Sequence, residues 1–294
     1  MIAFATATTK PDVYRRCAAP GIARAAEADS EVCDMPAIGS IFASYNALLE
    51  EFSARNELEA LVLIHQDAEL IERDFCQIVR CALADPQVGL VGCVGAVGVR
   101  SIAWWEASVT LASFVNRYQE HGGGDLASFS WEWGEAPAYA RIGEVETLDG
   151  FVLVLAPWVV RNLRFDESLG KFHGYDLDFC LQVRAAGRRV VTADFRAVHH
   201  RQLEMVPDPE EWIEAHIKVA EKWDGQMGIG AGAGSWRDRA LRAEADADAA
   251  LMLGYMNELE TTARVRELQA ALKETTTSVS WRLTAPLRRM THAS

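Results

Sequence analysis

The chain has 294 residues, half of them hydrophobic, and a formal net charge of −13. That length and composition suit one large domain with an appendage, or two modest domains, and exclude a disordered or fibrous chain. The acidic balance excludes nucleic acid as a partner, because a phosphate-binding surface needs clustered Lys and Arg; any phosphate bound here needs a metal ion.

Ile2 to Thr6 reads as a strand, and the residues around it lack the basic and long apolar pattern of a secretion signal. A helix follows over Asp12 to Ala18, then a stretch of variable pattern, then a helix over Ser44 to Arg55. Strand Ala60 to His65, helix Ile71 to Ala84 and strand Val88 to Val94 continue the alternation. Strands alternating with amphipathic helices predict an α/β fold with a mainly parallel sheet covered on both faces. Ligands of such sheets sit beyond the carboxyl ends of the strands, and Asp67 lies just past one of them.

From Gly95 to Gly143 the pattern dissolves into Trp104-Trp105, Gly122-Gly123-Gly124 and Trp131-Glu132-Trp133. This predicts a long aromatic insertion, in which Trp131 and Trp133 either stack on a substrate ring or cap the core. Order returns with the strand Val145 to Leu155, interrupted at Asp149-Gly150, and with the block Arg164 to Val198, where an acidic helix start, Tyr175-Asp176-Leu177-Asp178, leads to a helix ended by Gly187. A helix carrying Trp212 and Trp223 closes a domain of residues 1–224. Residues 225–235 read as a Gly-rich hinge, 236–275 as one long amphipathic helix able to pair as a coiled coil with a second copy or a partner enzyme, and 276–294 as a basic tail. That tail suits either an anionic membrane surface or docking on the domain.

No stretch reaches the roughly 18 apolar residues of a membrane span, and the six cysteines contain no CxxC pair and read as reduced thiols. The expected location is the cytoplasm, with peripheral contact at the inner face of the membrane.

The chemistry concentrates in few residues. Asp67 ends an apolar run, where a carboxylate either turns the chain or holds a divalent cation against a diphosphate. Of Asp176 and Asp178, one is explained by helix capping, and the other is free to accept a proton from an acceptor hydroxyl. His199 and His200 follow a strand and face opposite ways, so one of them, His199, is the candidate ligand beside Asp67. Together these residues describe a metal-assisted transferase with a charged leaving group.

Ser44-Tyr45-Asn46, His65-Gln66-Asp67, Leu148-Asp149-Gly150, Phe165-Asp166-Glu167, the run Phe172 to Leu181 and Val198-His199 occur in an order and spacing that resembles the family 2 glycosyltransferases of GT-A type. The likeness is to the bacterial glycosyltransferase-like subgroup with His-Gln-Asp in place of DxD, and it spans about residues 1 to 224; the ending Ser280 to Arg288 is similar to tails of bacterial polysaccharide glycosyltransferases. The resemblance implies a Rossmann-like nucleotide-sugar-binding sheet, a nucleotide-diphosphate sugar donor and a glycan or lipid-linked acceptor in surface polysaccharide synthesis. It implies a nucleotide site at His65, Gln66 and Asp67, a Mn²⁺ or Mg²⁺ ion on Asp67 and His199, and Asp176 as general base of an inverting displacement. Asp149, Gly150, Tyr175, Asp178, Trp131 and Trp133 are then expected to line the substrate cleft. Two positions depart from the family pattern: His65 replaces the first acid of DxD, and Tyr175 replaces the Glu before the base. The competing readings are a degenerate, non-catalytic binding or scaffold protein of this fold and a metal-dependent phosphoesterase.

Overall fold

The computed structural model describes residues 1–104, 109–112, 114–118, 124–126, 143–201, 208–224, 226 and 235–283. The first half runs β1 (Ile2–Thr8), α1 (Pro11–Arg16), α2 (Ala18–Ala25), β2 (Glu31–Pro36), α3 (Ile41–Ser53), β3 (Ala60–Ile64), β4 (Ala68–Leu70), α4 (Phe75–Leu83), β5 (Val88–Gly92), β6 (Val94–Val97), β7 (Val109–Ala112), β8 (Phe114–Tyr118) and β9 (Gly124–Leu126). The second half adds β10 (Gly143–Glu144), β11 (Thr147–Leu148), β12 (Val152–Leu155), α5 (Pro157–Asn162), α6 (Tyr175–Ala185), β13 (Arg189–Thr192), β14 (Ala197–Arg201), α7 (Pro209–Lys222), α8 (Ser235–Thr277) and α9 (Val279–Leu283).

A seven-stranded sheet in the order β10-β13-β5-β12-β3-β1-β2 forms the middle of the molecule. β1 pairs in parallel with β2 and β3, and β13 in parallel with β5. β12 is wedged between β3 and β5 and runs antiparallel to both. The sheet is therefore mostly parallel, and β12 enters it from the end at which β3 and β5 leave. Its central strands are buried along their whole length, Ala60 to Ile64 and Val152 to Leu155 alike, as sheets covered on both faces require.

Several expectations are corrected. The insertion after Gly95 was expected to lack regular structure, yet β6 and β7 join β11 in a three-stranded sheet, and β8 and β9 join β14 and β4 in a four-stranded one. These strands are short and pair with segments far along the chain, so local periodicity does not reveal them. The edge strand β2 lies in the stretch read as variable, and the first predicted helix is broken at Cys17 into α1 and α2. Trp131, Trp133 and most of the Gly-rich segment lie outside the described residues.

Two local features aim the functional elements. Ser40 caps α3, its hydroxyl accepting from the Ala43 amide at 3.1 Å. From that helix Asn46 reaches across to the Phe165 main chain, donating to its carbonyl at 2.9 Å and accepting from its amide at 2.8 Å. This clamp, with the Tyr45 ring 5.3 Å from the Phe165 ring, fixes the segment that leads into α6. The helix starts at Gly174, whose φ of 76° is one that glycine adopts without strain. Ala245 and Ala249 of α8 pack into the core, and its side chains Leu251, Val265, Leu268 and Leu272 are exposed. Among the described residues no helix is long and apolar enough to cross a membrane.

Candidate active site

β3 ends at Ile64, and His65, Gln66 and Asp67 turn over the carboxyl end of the sheet. The His65 amide donates to Phe151 O at 2.9 Å, which ties this turn to the entry of β12. β14 pairs antiparallel with β4 and sets His199 opposite Ala68. Alternation along a strand sends neighbours to opposite faces: His199 Nε2 lies 3.5 Å from Asp67 Oδ1, and His200 Nε2 lies 3.0 Å from Glu69 Oε2. His65 presents Nδ1 to the same Asp67 oxygen at 4.0 Å.

Ligand atoms of His65, Asp67 and His199 thus lie within 4.8 Å of one another. A cation bound through bonds of about 2.1 Å spaces its ligand atoms roughly 3 to 4.2 Å apart, so small side-chain movements close this cluster on an ion. Two imidazoles and one carboxylate suit a divalent transition ion better than Mg²⁺, which prefers oxygen alone. The buried Nδ1 of His199 has no hydrogen-bond partner among the described residues, and the ring stacks on Phe151 with centroids 4.4 Å apart.

The second feature is a pair of carboxylates at the start of β12 and α6. Asp176 accepts from the Gly150 amide at 3.1 Å and from the Leu177 amide at 2.9 Å. Asp149 accepts from the Phe151 amide at 3.1 Å. Burial, and then the charge of Asp149, push the Asp176 carboxyl up to about 7 against the pull of those amides. Such a group exchanges a proton near neutral pH, which suits a general base.

Several residues expected in the cleft are engaged with other parts of the protein. Asp178 is 0% exposed and faces away from the cleft, accepting from Trp223 Nε1 and Gln182 Nε2, each at 2.8 Å, and pairing with Lys222 Nζ at 2.8 Å. Tyr175 is 4% exposed, and its hydroxyl meets His65 Nε2 at 2.7 Å. Gly150 is buried against that phenol, and a Cβ on it would overlap the Tyr175 hydroxyl. Gln66, expected at the nucleotide, uses its side chain to close the loop after β1: its Oε1 accepts from the Thr9 and Lys10 amides at 2.9 and 2.7 Å. The physical reason is shared. Each polar group finds a protein partner supplied from a distant segment, and those partners are invisible in a local stretch of sequence. Phe172, which the sequence marks only as the start of a matching run, is 47% exposed beside the His65 ring.

Residues 3–215 match a family described as a glycosyltransferase-like family. The chain is 30% identical over 201 residues to the streptomycin biosynthesis protein StrF of Streptomyces griseus, covering 68% of this chain and 66% of that protein. It is 26% identical over 166 residues to the O-antigen biosynthesis protein RfbC of Myxococcus xanthus, covering 53% of this chain and 12% of that one. It therefore spans just under two thirds of the first relative and a small part of the second. Among solved structures, GalNAc-T7 with UDP, GalNAc and Mn²⁺ shares the fold with a TM-score of 0.53 at 9% identity, over 84% of this chain and 54% of that chain. The sheet flanked by helices is thus the GT-A fold that the sequence resemblance implies.

Proposed function

The chain belongs to the glycosyltransferase-like family, and from that premise we propose that it moves a sugar from a nucleoside-diphosphate donor to a hydroxyl of a glycan or lipid-linked acceptor, with inversion at the anomeric carbon. One observation carries the reading: at the carboxyl end of β3 a His-Asp-His cluster is linked, through the contact of His65 with Tyr175, to the helix start that carries a carboxyl raised to about 7. When bound, a divalent cation, Mn²⁺ in preference to Mg²⁺, supplies charge neutralisation for the departing nucleoside diphosphate. Asp67 and His199 would hold it.

Asp176 accepts the acceptor hydroxyl's proton as the new glycosidic bond forms. Its two amide donors fix the carboxylate at the first turn of α6, so its geometry is set before substrate arrives. Asp149 keeps its neighbour's proton affinity high enough for the task, since two adjacent carboxylates resist double ionisation. Residues 1–224 are the catalytic domain in this reading, 225–235 its hinge, and the helix and basic tail beyond are its means of contacting a second copy, a partner enzyme or the inner face of the membrane. The RfbC relationship supports a surface polysaccharide as the acceptor class.

The test is a thermal-shift screen of the full chain against UDP, GDP, dTDP and CMP, with and without Mn²⁺, repeated on Asp67→Ala. A ligand that binds the native state raises the melting temperature by mass action. A Mn²⁺-dependent shift with one nucleotide, lost in the variant, is the expected result. No shift with any nucleotide from a folded sample overturns the transferase reading in favour of a non-catalytic one.

A further inference from the structure

We infer that Tyr175 is a positioning residue that fixes the tautomer of His65 and so recruits His65 as a third metal ligand beside Asp67 and His199. The inference rests on the metal site proposed above, whose cluster already includes His65, and adds to it the device that prepares that residue.

Tyr175 has little freedom. Its ring lies among Phe42, Tyr45 and Phe165, with centroid separations of 6.1, 5.7 and 6.2 Å. Gly150 closes the remaining side, where any larger residue would overlap the phenol. The hydroxyl is thereby held 2.7 Å from His65 Nε2.

A neutral imidazole carries one N–H, and the other nitrogen is the one that can bind a metal. Two arrangements satisfy the short contact. If His65 Nε2–H donates to the phenol oxygen, the Nδ1 lone pair faces Asp67 and is available to an ion between them. If the phenol donates to Nε2, Nδ1 carries the proton and His65 is barred from the ion. Nδ1 and Asp67 Oδ1 are 4.0 Å apart, too far for a hydrogen bond and within the spacing of two atoms that share a cation. The first arrangement is the one that uses this separation. Metal-bound histidines nearly always give their second N–H to an oxygen acceptor, and here a buried phenol takes that place.

The experiment has two readings on the full chain. In the metal-free wild type, ¹⁵N-edited NMR of the histidine side chains is expected to show His65 as the Nε2–H tautomer. Titration with Mn²⁺ alone, followed by electron paramagnetic resonance, is expected to show a roughly 10- to 100-fold weaker affinity in Tyr175→Phe, with the metal-free melting temperature close to wild type. An Nδ1–H tautomer in the wild type overturns the inference whether or not the variant folds, and so does unchanged Mn²⁺ affinity in a folded Tyr175→Phe. Asp67→Ala separates the two layers. If it abolishes Mn²⁺ binding while Tyr175→Phe binds as the wild type does, the clamp fails and the metal site stands. A wild type that binds no Mn²⁺ overturns both.

Discussion

Asp176 and Asp178 sit two residues apart in the first turn of one helix, and the fold treats them in opposite ways. Asp178 is sealed from solvent and surrounded by donors, with the Lys222 ammonium, the Trp223 indole N–H and the Gln182 amide all at 2.8 Å. Among the described residues Asp176 has no cation as a hydrogen-bond partner; the charge of Asp149 acts on it, and its carboxyl rises to about 7. Lys222 underlines the contrast, since its hydrogen bond, seconded by Ser168, holds nearby Asp166 down at about 2. The carboxylate that anchors structure is matched with positive charge, and the one proposed to act as base is left short of it.

The contrast can be broken experimentally, and the largest effect is expected at the metal cluster. Asp67→Ala should abolish Mn²⁺-dependent nucleotide binding in calorimetric titration, because it removes the carboxylate on which both histidines converge. Asp178→Ala should act on folding alone. Removing Asp178 leaves the buried Trp223 N–H without its acceptor and leaves Lys222 with Asp166 as its remaining carboxylate, at a cost of about 1 to 3 kcal/mol, measurable as a lower midpoint in urea with turnover per folded molecule nearly unchanged. If turnover collapsed instead, the division of labour on α6 would be wrong.

Asp176→Asn should have the opposite signature in stability. The folded-state value of about 7 lies above the ordinary 3.8, so between these values the folded protein keeps a proton that the unfolded chain has lost. The stabilising contribution is complete below pH 3.8 and is lost as pH rises through 7. The Asn variant should therefore melt above wild type at pH 8 and lose that advantage in acid. The smallest effect is expected from Asp149→Asn: with the neighbouring charge gone, the Asp176 value should fall, and the rising limb of the pH–rate profile should move to lower pH.

Much of this site could be read from the chain. The apolar run into His65-Gln66-Asp67 marks a buried strand that ends at the carboxyl edge of the sheet, and alternation along β14 separates His199 from His200. The acidic helix start locates Asp176. What escaped depends on partners remote in sequence. Trp223 reaches Asp178 from 45 positions away, and Asn46 meets Phe165 from 119 positions away. The antiparallel sense of β12 and the short strands β4 and β8 are defined by pairing rather than by pattern. His65 and Tyr175, the two positions that depart from the family pattern, seemed unrelated in the sequence, yet they meet at 2.7 Å.

The most direct measurement is the release of nucleoside diphosphate from the donor that the nucleotide screen identifies, followed from pH 5.5 to 8.5 (values spanning about 7) in wild type and Asp176→Asn. Turnover in the wild type is expected to rise through about pH 7, and the variant is expected to be roughly 10²- to 10⁴-fold slower, to lack that rise and to bind donor nearly as well. A variant that keeps the wild-type rate and its pH profile would remove Asp176 from the chemistry and contradict the assignment of the site.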